Sequence, residues 1–130
     1  MYDKYLIVGE YFKNVEKDGE VTGFQLGVRL PYYRGVVLSL VGDTIITVDG
    51  EEFPMEQLTL TMNDKTYPMT QLKYEPVDKW EFGDIGVVTV ARPGGLPAGE
   101  HKVELQQQMK ISYVPGGFWG SDVKVLNLAG

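Results

Sequence analysis

Cysteine is absent from the 130 residues and histidine occurs once. The first absence excludes a disulfide framework and a thiolate zinc site, and it fits a reducing, cytoplasmic setting. The second excludes the His-rich shell of a catalytic zinc or iron centre. Positive charge is scarce, with 12 Lys and Arg against 18 Asp and Glu for a net −6. The chain therefore lacks the basic surface that displaces counterions from nucleic acid, and nucleic acid is not an expected partner. Apolar runs are short as well. None approaches the ~20 residues of a membrane span, and near the N-terminus only Leu6, Ile7 and Val8 are consecutive aliphatics before Gly9 and Glu10. That is no signal-peptide core, so no membrane or export role is expected. Uninterrupted sequence is the scarcest commodity. With 16 Gly and 7 Pro, only residues 55–67 and 100–114 run longer than nine residues without either. An interior Gly costs a helix about 1 kcal/mol and an interior Pro about 3, so a helical bundle is excluded.

The two long stretches define what is present. Over residues 100–113, Val103, Leu105, Met109, Ile111 and Tyr113 share one parity, while Lys102, Glu104, Gln106, Gln108, Lys110 and Ser112 hold the other. Only Gln107 breaks the pattern. A period of two over such a length predicts a long antiparallel strand with one buried face. Leu58, Leu60 and Met62 alternate with Thr59 and Thr61 in the same way. Elsewhere the chain has hairpin grammar. Asp18-Gly19 and Asp49-Gly50 sit between alternating apolar residues, where a type I′ turn needs positive φ at both central positions; Asn63-Asp64 is read as a third hairpin. Further strands are expected at 5–8, 11–16, 20–30, 44–48, 51–53, 87–91 and 123–128, with a bulge or bend at Gly9 and short helical turns at 54–57 and 68–71. Nine or ten strands with turn signals every 8 to 12 residues predict an all-β fold. The expectation is an antiparallel β-sandwich, jelly-roll or immunoglobulin-like, with residues 1–130 in a single domain.

Most catalytic templates fail for want of parts. His101 with Ser39, Ser112 or Ser121 has no Gly-x-Ser-x-Gly elbow around it, and the histidine reads as a rim or capping residue. The acids of Glu16-Lys17-Asp18-Gly19-Glu20 do not match a calcium loop, which would need Gly and Glu where Val21 and Gly27 stand; they read as a solvated hairpin tip. Glu51, Glu52, Asp78, Glu81 and Asp84 are too many candidates for a glycosidase pair, and sequence spacing does not fix their separation. Pro93-Gly94-Gly95 and Pro115-Gly116-Gly117 have no following Lys-Ser/Thr and read as turns. No catalytic or metal-ligating residue is therefore assigned to this chain.

Three aromatic segments bounded by Gly and Pro stand out: Tyr32, Tyr33 and Arg34; Trp80 and Phe82; Phe118 and Trp119. Tyr, Trp and Arg at rigid exposed positions are the residue types of interface hot spots, and they also stack on sugars. The competing reading is that a pair such as Trp80 and Phe82 simply closes the end of the sandwich. An independent carbohydrate-binding sandwich is the alternative to a partner-binding one.

At these same segments the sequence resembles the small β subunits of bacterial C-glycoside deglycosidases. The resemblance runs from Asp3-Lys4-Tyr5 through Val28-Arg29-Leu30-Pro31-Tyr32-Tyr33-Arg34-Gly35, Val48-Asp49-Gly50 and Trp80-Glu81-Phe82-Gly83. It continues through Pro93-Gly94-Gly95-Leu96, Gly99-Glu100-His101 and Ile111-Ser112-Tyr113 to Gly120-Ser121-Asp122, with Pro-Tyr-Tyr-Arg-Gly the most distinctive piece. It implies a β-sandwich that binds a larger α subunit, in a higher hetero-oligomer. That subunit is a TIM barrel carrying the acid–base residues and a divalent metal, commonly manganese. The implied substrate is a 3-oxo-glucosyl C-glycoside of a flavonoid-type aromatic, made beforehand by a separate oxidoreductase and cleaved at its carbon–carbon bond.

Overall fold

The computed structural model describes residues 6–29, 36–62, 64–75, 79–81, 84–110 and 118–128. These residues form an all-β sandwich of two antiparallel sheets. Eleven strands occur among them: β1 (Ile7–Lys17), β2 (Glu20–Val28), β3 (Val36–Val37), β4 (Val41–Val48), β5 (Glu51–Phe53), β6 (Leu58–Met62), β7 (Lys65–Pro68), β8 (Lys79–Trp80), β9 (Gly86–Ala91), β10 (Gly99–Met109) and β11 (Phe118–Leu128). One sheet has the order β1-β2-β9-β6-β7 and the other β11-β10-β4-β5; β3 and β8 pair separately.

The hairpin signals act as read. Asp18 and Gly19 have φ of 53° and 82°, and Asp49 and Gly50 have 50° and 87°, so each Asp-Gly pair supplies the two positive-φ residues of a tight turn. Met62 pairs with Lys65 across the third hairpin, of which Asn63 lies outside the described residues. The strands expected at 5–8 and 11–16 merge into β1, whose register against β2 slips between Val8 and Lys13; the expected bulge at Gly9 lies in that slip. Short 3-10 helices occupy Met55–Gln57 and Met69–Tyr74, each behind a proline. The long strand expected at 100–113 is β10, and residues 111–113 lie outside the description. Phe118, Trp119 and Gly120 lie before the strand expected at 123–128 but begin β11, which is five residues longer at its start than the hydrophobic pattern suggests because Gly120 pairs with Gln107 in continuous register.

The inner faces of the two sheets supply one hydrophobic cluster. Phe24, Leu26, Val88, Val90, Leu58 and Leu60 come from the first sheet, and Ile46, Val48, Val103, Leu105 and Phe53 from the second. Phe24 and Phe53 meet edge-on with ring centroids 5.4 Å apart, a favoured aromatic geometry across the core. Gln107, which with His101 is a polar residue on the buried parity of β10, is fully buried opposite Thr44 of β4. Its Oε1 accepts the Thr44 hydroxyl at 2.8 Å and its Nε2 donates to the Gln108 carbonyl at 3.1 Å. Gln107→Leu would complete the apolar alternation yet leave that hydroxyl without its acceptor, so the substitution is expected to destabilise by about 1–3 kcal/mol. A urea midpoint equal to or above the wild type would show the pair to be dispensable.

Candidate functional site

Of the aromatic candidates, the structure separates the two tryptophans. Trp80 is fully buried in the core, and its indole Nε1 donates to the Asp84 carbonyl at 2.8 Å. Its ring offers no surface to a partner, so of the two readings of this cluster its burial favours the one that closes the sandwich. Trp119 is the opposite case, 48% exposed on the outer face of β11. Tyr32, Tyr33, Arg34 and Phe82 lie outside the described residues. Phe118 is placed in β11 by its backbone, and its side chain is not described.

Register explains the exposure of Trp119. In the β10–β11 pairing Leu105 faces Asp122 and Gln107 faces Gly120, so the even-numbered residues of β11 turn inward and Trp119, Ser121, Val123 and Val125 turn outward. Val123 and Val125 are exposed alongside Trp119. A shallow depression of about 380 Å³ lies between Trp119, Gly120, Ser121 and Gln106. A second one beside it is bordered by Thr47, Glu104 and Val123. An indole face, two aliphatic side chains, an amide, a hydroxyl and the Glu104 carboxylate make a surface suited to contact.

Where β11 turns inward it carries charge. The Asp122 carboxylate, buried, accepts the Ile7 N–H at 2.9 Å, and the Lys124 ammonium donates to the Ile7 carbonyl while lying 3.5 Å from Asp122. These two side chains occupy the hydrogen-bonding groups of β1 where the edges of the two sheets meet, which is one way folds protect exposed strand edges.

A second polar cluster gathers segments far apart in sequence. Connecting β9 to β10, residues 92–98 cross from one sheet to the other. Asn14 of β1 holds this crossover by two reciprocal bonds, Nδ2 to the Leu96 carbonyl and Oδ1 from the Leu96 N–H, both 2.9 Å. Gly95, at φ +64°, lies so close that a Cβ there would stand 2.4 Å from Asn14 Oδ1. Arg92 donates to the Gly95 carbonyl and pairs with Glu51 at 3.2 Å. His101, buried at the start of β10, lies 2.6 Å from Asp49 Oδ2 and 2.7 Å from the Pro97 carbonyl. The Pro97 and Asp49 hydrogen bonds raise its pKa above 6.5, against the opposing pull of burial and of the Arg92 charge. The His101 hydrogen bond, with that of the Lys102 amide, holds the Asp49 carboxyl below 3.8. Among the described residues no three His, Cys, Asp or Glu side chains come together to hold a metal ion, and no helix is long and apolar enough to cross a membrane.

Comparison with known proteins gives these motifs a common owner. The family model for the C-glycoside deglycosidase beta subunit matches residues 2–113. The chain belongs to this family. A C-glycoside deglycosidase beta subunit of Eubacterium cellulosolvens is 35% identical over 114 residues, 87% of this chain and 78% of the relative. The 3'-dehydrocarminate deglycosidase beta subunit of a Microbacterium species is 34% identical over 95 residues, covering 72% of this chain and 70% of its own. An Arthrobacter globiformis C-glycoside deglycosidase beta subunit is 29% identical over 100 residues, 77% and 74% of the two chains. The span matched to the beta-subunit model contains Asp49, residues 92–98 and His101, whereas β11 with Trp119 and Asp122 lies beyond it. Sequence reasoning singled out the aromatics of this beta-subunit chain and passed over its polar clusters. Gln107 as a parity break was the available signal.

Proposed function

We propose that this chain is the small subunit of a heteromeric C-glycoside deglycosidase, in which it binds and supports a larger α subunit that breaks the carbon–carbon bond between a 3-oxo-glucosyl group and a flavonoid-type aglycone. The family match over residues 2–113 carries the reading, and the name beta subunit shared by the relatives supports a partner chain. The 3'-dehydro compound in the Microbacterium relative's name supports a substrate already oxidised on its sugar.

A carbonyl at C3 makes the C2 proton acidic. A base removes that proton, its electron pair becomes the C1–C2 double bond, the C1–aryl bond breaks, and the aryl carbon takes up a proton and leaves as the arene. The reaction is a lyase elimination and consumes no water. In this reading the α subunit is a TIM barrel that holds the acid–base residues and a divalent ion, with manganese the expected one. Among this chain's described residues no three His, Cys, Asp or Glu side chains come together to hold such an ion. The chain folds as a single cytoplasmic domain. Its contact surface draws on exposed Trp119 with Phe118, and on Tyr32, Tyr33, Arg34 and Phe82.

Co-expression with the α-subunit gene beside it should give a complex that survives affinity purification through a tag on either chain and elutes earlier than each chain alone. Separate elution at micromolar concentration would remove the subunit reading. Because an exposed indole beside Gln106 and Ser121 also suits a sugar face, the rival is a stand-alone carbohydrate-binding module. Saturable quenching of tryptophan emission by C-glycosides, in the absence of a partner, would favour that rival.

A further inference from the structure

His101, the only histidine of the chain, sits where its neighbours dictate its protonation. A carbonyl oxygen only accepts, so the Pro97 contact requires a proton on Nε2. The Asp49 carboxylate also only accepts, its other oxygen taking the Lys102 N–H at 2.8 Å, so the contact at Nδ1 requires a second proton. A neutral ring has one N–H and would set a bare lone pair against an oxygen at 2.6 or 2.7 Å. We propose that His101 is a charged imidazolium clasp near neutral pH, tying the β4–β5 turn to the β9–β10 crossover, and that the clasp opens when the ring loses its proton.

The surroundings leave little else to set the charge. From the β4–β5 turn comes Asp49. From the crossover comes Arg92, whose charge opposes protonation and is paired with Glu51. β1 contributes the edge of Phe12, 6.1 Å between centroids, and β11 contributes Leu126 opposite in the ladder. Glu100 and Lys102 of β10 itself point to the other face. On deprotonation one of the two contacts is lost, and with it the link that the ring makes between the two loops, each of which keeps its other bonds: Asn14 to Leu96 at the crossover and the Lys102 amide to Asp49 at the turn.

The test is ring nitrogen NMR on the full chain, which needs no assignment because there is one histidine. Near pH 7 both nitrogens should carry protons, with a titration midpoint above the ordinary value of about 6.5. A group whose pKa is raised by folding stabilises fully below its unfolded pKa and loses that contribution as pH rises through the folded one. The urea midpoint is therefore expected to fall across the ring's titration. Asp49 has the opposite sign: its contribution is present above pH 3.8 and is lost as pH falls through the lowered value. Asp49→Asn keeps a residue type that tolerates φ of 50° and can still accept from Lys102, but removes the anion. It should lower the ring's midpoint and move the loss of stability on rising pH with it. A neutral tautomer near pH 7 in the unaltered chain, or a midpoint indifferent to Asp49→Asn, would overturn the clasp.

Discussion

Trp80→Ala is expected to cost about 3–5 kcal/mol, the range for truncating a large aromatic in a packed core, against a total stability of about 5–15 kcal/mol for a domain. The argument rests on how the indole is housed. It is fully buried, and Val36 of β3 is its partner in the two-stranded β3–β8 pairing. Gly86 makes the room: a Cβ there would stand 2.9 Å from Trp80 Cζ2 and 2.7 Å from Leu60 Cδ1, so the strand can pass the ring only without a side chain. Truncation leaves a cavity beside Gly86 and Leu60, and it removes the donor to the Asp84 carbonyl. Trp80→Phe keeps most of the buried area and should cost less. Urea unfolding followed by far-ultraviolet circular dichroism measures both, and a loss under about 1 kcal/mol for the alanine variant would contradict a core role.

Asp122→Ala has the next largest expected effect, about 2–3 kcal/mol. Removing one member of a buried ion pair typically costs 3–5 kcal/mol because the other is left uncompensated. Lys124 is about one-third exposed and recovers part of its hydration, which places the cost at or below the low end. The unmade bond at the Ile7 N–H contributes to the loss, since a buried donor without an acceptor costs about 1–3 kcal/mol. The loss should be local in origin: the Ile7 amide should exchange with solvent faster than amides in the centre of β10. Asp122→Asn retains an acceptor for Ile7 and loses only the charge, so its cost should be smaller. An unfolding free energy within about 0.5 kcal/mol of the wild type for Asp122→Ala would show that water satisfies the edge of β1 as well as the carboxylate does.

These two sites mark the limits of reading the sequence. Turns and long strands were legible because they are local: Asp18-Gly19 and Asp49-Gly50 need only their own backbone preferences, and β10 announces itself by parity. The prolines at 54 and 68 gave away the 3-10 turns for the same reason. β11 was misjudged in length, and its facing is counterintuitive. Val123-Lys124-Val125 taken alone would bury the valines, yet pairing with β10 sends them outward and brings Asp122 and Lys124 to β1, because register is a property of two strands. Nor did the flanking residues foretell the two tryptophans: Trp80, between the charged Lys79 and Glu81, is the buried one, and Trp119, between Phe118 and Gly120, is exposed, because one faces Gly86 in the core and the other faces solvent. The polar clusters were invisible for a third reason. Asp49, residues 92–98 and His101 meet only after the chain has crossed between sheets, so the motifs that carried the family resemblance gave no hint that they form one structure.

The central claim is that this chain serves an α subunit, and the rate of aglycone release tests it most directly. Purified α subunit, supplied with divalent ion and a 3-oxo-glucosyl C-glycoside, should release aglycone slowly or not at all by itself. Titration with this chain should raise the rate to a plateau at a fixed subunit ratio. An α subunit that is fully active alone, with a rate unchanged by added chain, would contradict the account.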